Sequence, residues 1–120
     1  MKICIAQSKS EKDRIHENIQ NHLGLIEQAI KLNSDAIFFP ELSITNYEPE
    51  LARDYAFEID DKAFNPFQEL SDSNEITIGI GIPTKSPDGI KISMLIFQPR
   101  QRRVVYSKQM LHSDEIPFFV

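Results

Sequence analysis

Two ionisable residues stand where apolar strands end. Glu41 closes the run Ile37-Phe38-Phe39-Pro40. A carboxylate at the tip of a buried strand costs free energy unless a partner meets it there. Lys108 closes Val104-Val105-Tyr106-Ser107, 67 positions after Glu41. In open α/β sheets the loops at the carboxyl ends of strands converge on one edge, where ligands gather. An ammonium and a carboxylate meeting there in a dry pocket would each hold the other charged, a pairing suited to acid–base and electrostatic catalysis. Singly, each has a plainer reading, as a loop charge for Glu41 and a solvent-facing side chain for Lys108. Tyr47 is a candidate to line the mouth of such a pocket, or to pack under the 43–55 loop. The single cysteine, Cys4, lies between Ile3 and Ile5 inside a strand. It reads as a small hydrophobe, without the exposed, charge-lined setting a reactive thiolate needs.

The elements that must position these groups follow from hydrophobic period. Residues 2–7 alternate as a strand. Residues 11–32 read as a helix with Ile15, Ile19, Leu23, Ile26 and Ile30 on one face. Ser10 is its expected N-cap, with Asp13 in the capping-box position. Residues 35–39 form an almost wholly apolar strand, as a strand buried on both faces should be. Together these make a parallel β-α-β unit with a right-handed crossover. Residues 40–60 read as a loop with a short helix near 49–54. Residues 62–73 are a weaker helix interrupted by Pro66. Strict alternation over Ile76, Ile78, Ile80 and Ile82 marks a strand at 75–82, ended by Pro83. Ser86-Pro87-Asp88-Gly89 is a turn in which Gly89 can take a positive φ. Strands at 90–97 and 103–107 complete a meander of hairpins.

The composition narrows the classes. At 120 residues there is room for one domain. Apolar residues at 41% and charged residues at 26% suit a globular chain with a core. A net charge of −5 argues against nucleic acid or an anionic membrane as partner. Arg100, Arg102 and Arg103 form too short and mixed a cluster for a nucleic-acid patch and read as a solvated turn. No apolar run reaches the roughly 18 residues of a membrane span. The opening MKICIAQSKS has too short an apolar run for a signal peptide, so a cytoplasmic location is the default expectation. One cysteine excludes an internal disulfide framework and a cysteine-based metal cluster. The apolar ending IPFFV is unusual for a terminus and is expected to be interior sequence of a longer polypeptide.

FFPELSITNY followed by YSKQML resembles the nitrilase, or carbon-nitrogen hydrolase, superfamily, as do the opening KICIAQ, the helix after it and GIGIP before the hairpin. The resemblance implies an α/β fold, an α-β-β-α sandwich present here as its N-terminal half. Residues 1–120 would be the N-terminal part of a single carbon-nitrogen hydrolase domain. It also implies hydrolysis or acyl transfer at a non-peptide C–N bond of a small amide, nitrile or carbamoyl substrate. The chemistry would run through a Glu-Lys-Cys triad and a thioester, with no cofactor. Glu41 matches the general base that takes the thiol proton, and Lys108 the cation that holds the developing oxyanion. Glu115, in HSDEIPFF, is a candidate for the second glutamate that many members place near the lysine, although with Asp114 beside it an ordinary solvated acidic pair is the plainer reading. Members commonly dimerise, so the intact protein is expected to be a homo-oligomer.

The chain departs from the family pattern at Asn46, where glycine is usual, at Ser107, where arginine is usual, and at Ile92, where asparagine often precedes the hairpin serine. Asparagine tolerates a left-handed backbone, so the turn at Asn46 can survive. The family's cysteine follows the lysine, and no cysteine follows Lys108. The 120-residue chain alone is therefore expected to be inactive. The competing expectation is a truncated, catalytically inactive binding or assembly module. Half a sandwich leaves a sheet edge and a face uncovered, which would call for a partner chain.

Overall fold

The computed structural model describes residues 1–120. Strand β1 (Ile3–Ile5) leads to helix α1 (Ile15–Lys31) and strand β2 (Ala36–Phe38). A 3-10 turn at Pro49–Leu51 runs into the short α2 (Ala52–Tyr55), and another at Lys62–Phe64 into α3 (Asn65–Asn74). Strands β3 (Thr77–Ser86), β4 (Gly89–Phe97) and β5 (Val104–Ser107) follow. The five strands form one sheet in the order β1-β2-β3-β4-β5. The first two pairings are parallel, with Ile3 opposite Ala36 and Ala36 opposite Thr77. The last two are antiparallel, with Ile82 opposite Ser93 and Ser93 opposite Ser107. Parallel neighbours need long crossovers, and α1 and α3 supply them.

Both helices lie on one face of the sheet. Ile37, Phe39, Ile78, Ile80, Ile82, Leu95 and Phe97 point into a core with Ile19, Ile26 and Ala29 of α1, Phe67 of α3 and Phe64 just before it. Burial at about 25 cal/mol per Å² makes this the main stabilising layer. The opposite face carries no helix: Ile3, Ile5, Val104 and Tyr106 are exposed, and Phe38, Met94 and Ile96 are half-buried. A smaller cluster of Leu42, Ala52, Ile92 and Phe119 packs the 112–120 segment onto that side.

Several expected boundaries move. Helix α1 starts at Ile15 and not near residue 11, because Asp13 takes a left-handed φ of 63°. Ser10 is not its N-cap; Arg14 occupies that position without a side-chain bond, and the Ser10 hydroxyl donates to the Ser43 carbonyl. Pro66 begins α3 instead of interrupting it, since a proline in the first turn forfeits no helical hydrogen bond. Pro83 does not end β3. Opposite it, Ile92 turns its carbonyl to the Lys108 N–H, while Pro83 turns its own carbonyl outward to the Phe57 N–H at 2.9 Å, so the missing N–H interrupts no ladder. The arginine cluster is more than a solvated turn. Arg103 donates to the carbonyls of Ile59 and Asp61 and lies 5.2 Å from the Phe97 ring centre, and Arg100 pairs with Glu75.

Candidate active site

Glu41 and Lys108 meet. Lys108 Nζ donates to Glu41 Oε1 at 2.9 Å. Glu115 closes the group from below, with both its oxygens near the same ammonium, Oε1 at 3.1 Å and Oε2 at 3.2 Å. Each residue has a rigid mount. Glu41 is bracketed by backbone bonds to β3: Phe39 N–H donates to the Gly79 carbonyl at 2.9 Å and Ile44 N–H to the Gly81 carbonyl at 3.0 Å. Lys108 extends the β4–β5 ladder by one bond, its N–H reaching the Ile92 carbonyl at 2.7 Å. Glu115 sits in a turn whose Glu115 N–H donates to the His112 carbonyl and whose Phe119, packed on Leu42 and Ile92, ties it to the fold.

The turn that carries Glu41 is tightly specified. Leu42 and Asn46 adopt left-handed φ of 52° and 69°. Asn46 thus takes the conformation that glycine would supply, as expected of asparagine. Gly81 lies directly beneath: a Cβ there would collide with the Pro40 carbonyl oxygen and come within 2.5 Å of the Leu42 nitrogen.

The electrostatics follow from this packing. Glu115 is fully buried. Burial pushes its carboxyl up, but the His112 N–H, the Tyr47 hydroxyl and Lys108 together outweigh it and hold the group down at about 2. The Tyr47 hydroxyl donates to Glu115 Oε2 at 2.8 Å, and that bond, then burial and the nearby carboxylates, push Tyr47 up to about 12. Lys108 is raised, first by its bond to Glu41. Tyr47 therefore supports Glu115. The open cleft of about 230 Å³ beside the ion pair is lined by Glu41, Gly81, Ile92, Ser93, Met94, Tyr106 and Lys108. Lys108 has three donors, and the two carboxylates leave capacity for one more acceptor. Asp114, next to Glu115, is exposed.

Cys4 is elsewhere. It packs against the helix-covered core, with Sγ 2.9 Å from Ser34 Oγ. No group of three His, Cys, Asp or Glu side chains is arranged to hold a metal ion. No helix is long and apolar enough to cross a membrane.

One constituent escaped the sequence reading. His22 is buried on α1, stacked on Phe39 with ring centres 4.1 Å apart. Burial, opposed by its bond to the Asn18 carbonyl, lowers it to about 4. The stripe Ile15, Ile19, His22, Ile26 has helical spacing, so the signal was a histidine on the apolar face. The face is rotated toward it, leaving Leu23 and Ile30 half-buried.

The chain belongs to the carbon-nitrogen hydrolase family, which its sequence matches over residues 2–117. Its fold is that of the nitrilase-type amidases. An N-terminal amidase solved with a Gln-Gly peptide superposes with a TM-score of 0.81 at 19% identity, over 95% of this chain and 29% of the amidase. The NitN amidase from Neterenkonia sp. AN1 gives 0.82 at 17% identity, over 100% of this chain and 49% of the amidase. A glutamine-dependent NAD(+) synthetase from Cytophaga hutchinsonii gives 0.77 at 22% identity, over 98% and 21%. The chain thus spans about a third of the first of these structures and about half of the second. No curated protein matches it in sequence.

Proposed function

We propose that this chain supplies the general base and the oxyanion-holding cation of an amidohydrolase. The observation that supports it most is Lys108, held between Glu41 at 2.9 Å and the buried Glu115 at 3.1 Å on the rim of an open cleft. Glu41 binds through Oε1 and is about two-fifths exposed, so it can take a proton from a group entering the cleft. Lys108, kept protonated by two carboxylates, has a free donor for the oxygen of a tetrahedral intermediate. Glu115, with Tyr47 behind it, holds the ammonium in place.

In this reading the nucleophile is a cysteine thiol outside these 120 residues, which are the N-terminal part of one hydrolase domain. The thiol gives its proton to Glu41 and attacks the carbon of a small amide, nitrile or carbamoyl substrate. Glu41 passes that proton to the departing ammonia or amine, a nitrile adding one water before its ammonia leaves, and the carboxylate so freed deprotonates a further water that hydrolyses the thioester. The intact protein is a homo-oligomer in this proposal. The chain alone releases no ammonia, and turnover that survives Cys4→Ser would reveal another nucleophile.

The test is Glu41→Gln in the intact protein, assayed for ammonia release from a panel of simple amides, nitriles and carbamoyl compounds. Turnover is lost while the circular dichroism spectrum is kept. Undiminished turnover in that variant refutes the reading. The helix-free apolar face favours a second reading, a non-catalytic module that needs a partner chain. A monomer that stays dispersed at high concentration in ultracentrifugation would count against it.

A further inference from the structure

The site described above has a polar foundation on its far side. His22 Nδ1 lies 2.7 Å from the Asn18 carbonyl, which can only accept, so Nδ1 carries the proton. Nε2 is then an acceptor, and the Ser43 hydroxyl, 2.9 Å away, donates to it. The same Ser43 oxygen accepts the Gly81 N–H at 3.1 Å. Asn18 Nδ2 donates to the Ile44 carbonyl at 2.9 Å. Every polar atom in this chain of contacts has a partner, and one ring tautomer satisfies all of them. The chain of contacts also brackets Glu41 in sequence. The ring stacks on Phe39, two residues before Glu41, and binds Ser43, two residues after it. Between those two points the backbone passes through the left-handed Leu42.

A buried imidazole has weaker claims than an aliphatic residue on an apolar helix face, since its nitrogens must all be satisfied. What the ring adds is direction: two fixed bonds set the distance between α1 and the turn. We propose that His22 is a positioning residue for Glu41, setting the seat of Phe39 and Ser43 and so the line along which the carboxylate meets Lys108. This rests on the reading of Glu41 and Lys108 as the working pair, but the contact itself can be measured without turnover.

The experiment uses lysine side-chain ¹⁵N NMR on the intact protein, where the Lys108 ammonium, held by two carboxylates, gives a resonance slowed in exchange with water. Glu41→Gln identifies that resonance by its displacement. His22→Phe keeps the ring stack and loses both nitrogens. Ser43→Ala keeps the ring and loses its partner. Both are expected to weaken the Lys108 signal severalfold, and His22→Gln, whose amide oxygen can accept from Ser43, to restore most of it. A merely structural role would lower the melting temperature in all three and leave the Lys108 resonance in place. An unchanged resonance in folded His22→Phe and Ser43→Ala overturns the proposal, as does failure of both to fold. The amidohydrolase reading fails separately, if Glu41→Gln keeps its activity in the intact protein.

Discussion

Acid should destabilise this chain in two separable stages, and the first belongs to His22. Its folded value of about 4 lies below the ordinary 6.5. The unfolded chain therefore takes up the proton first as pH falls. The stability held by neutral His22 is complete above about 6.5 and is lost on the way down toward 4. Each pH unit separating the folded and unfolded values is worth about 1.36 kcal/mol. With both states titrating, the loss is about 2 kcal/mol by pH 5 and about 3 kcal/mol by pH 4. Glu115 works in a lower window. Its folded value is about 2 against 4.5, so its contribution is intact at pH 5 and is lost below about 4.5. The interval from pH 7 to 5 thus separates the His22 contribution from that of Glu115. Urea unfolding followed by far-ultraviolet circular dichroism reads the effect. With a slope of about 2 kcal/mol per molar, the midpoint should fall by about 1 M between pH 7 and 5. His22→Gln should flatten that dependence, whatever it does to the midpoint at pH 7. A wild-type midpoint that does not move, or a His22→Gln midpoint that falls as far as wild type, would refute the assignment.

Two further outcomes test the site's construction. Gly81→Ala should destabilise by about 2–3 kcal/mol, the cost of forcing a methyl into packed structure, because every close neighbour of the new Cβ is backbone that cannot rotate away. Its urea midpoint checks the first effect, and a disturbed Lys108 ¹⁵N resonance should accompany it. Glu115→Gln should bring Tyr47 down from about 12 toward the ordinary 10, since the carboxylate that binds its hydroxyl is the largest cause of the rise. Ultraviolet titration, with Tyr47→Phe as the difference reference, measures this, and an unmoved titration would break the link between the two residues.

The strands were legible where period and burial agree. Ile76, Ile78, Ile80 and Ile82 alternate because one face of β3 meets α1 and α3, and that pattern is local. The meeting of Glu41 and Lys108 was legible as strand-end logic and as family resemblance. What local pattern could not supply was set by contacts between distant segments. Pro83 reads as a stop, but whether a missing N–H matters depends on which way Ile92 turns its carbonyl. Ser10 reads as a helix cap, yet Ser43, 33 positions away, competes for its hydroxyl. Glu115 reads as half of an acidic pair on a loop. Its burial depends on Phe119 docking between Leu42 and Ile92, which no spacing announces.

The order of pairing along the sheet has a kinetic consequence. The β3–β4 hairpin closes over a two-residue turn at Pro87-Asp88 and pairs from Ser86–Gly89 to Ile78–Phe97. β5 joins it after a short connection. The β1–β2 and β2–β3 pairings are three residues long and each closes a loop of about thirty or more residues. Local contacts form sooner than distant ones in a folding chain. The Lys108 end of the ion pair is therefore mounted on the part of the sheet that assembles early. The Glu41 end is mounted on the part whose pairings close the longer loops and carry the larger entropic cost. Two charges 2.9 Å apart in the native state thus sit across the join between the locally paired and the distantly paired parts of the sheet, so their contact reports that the two parts have met.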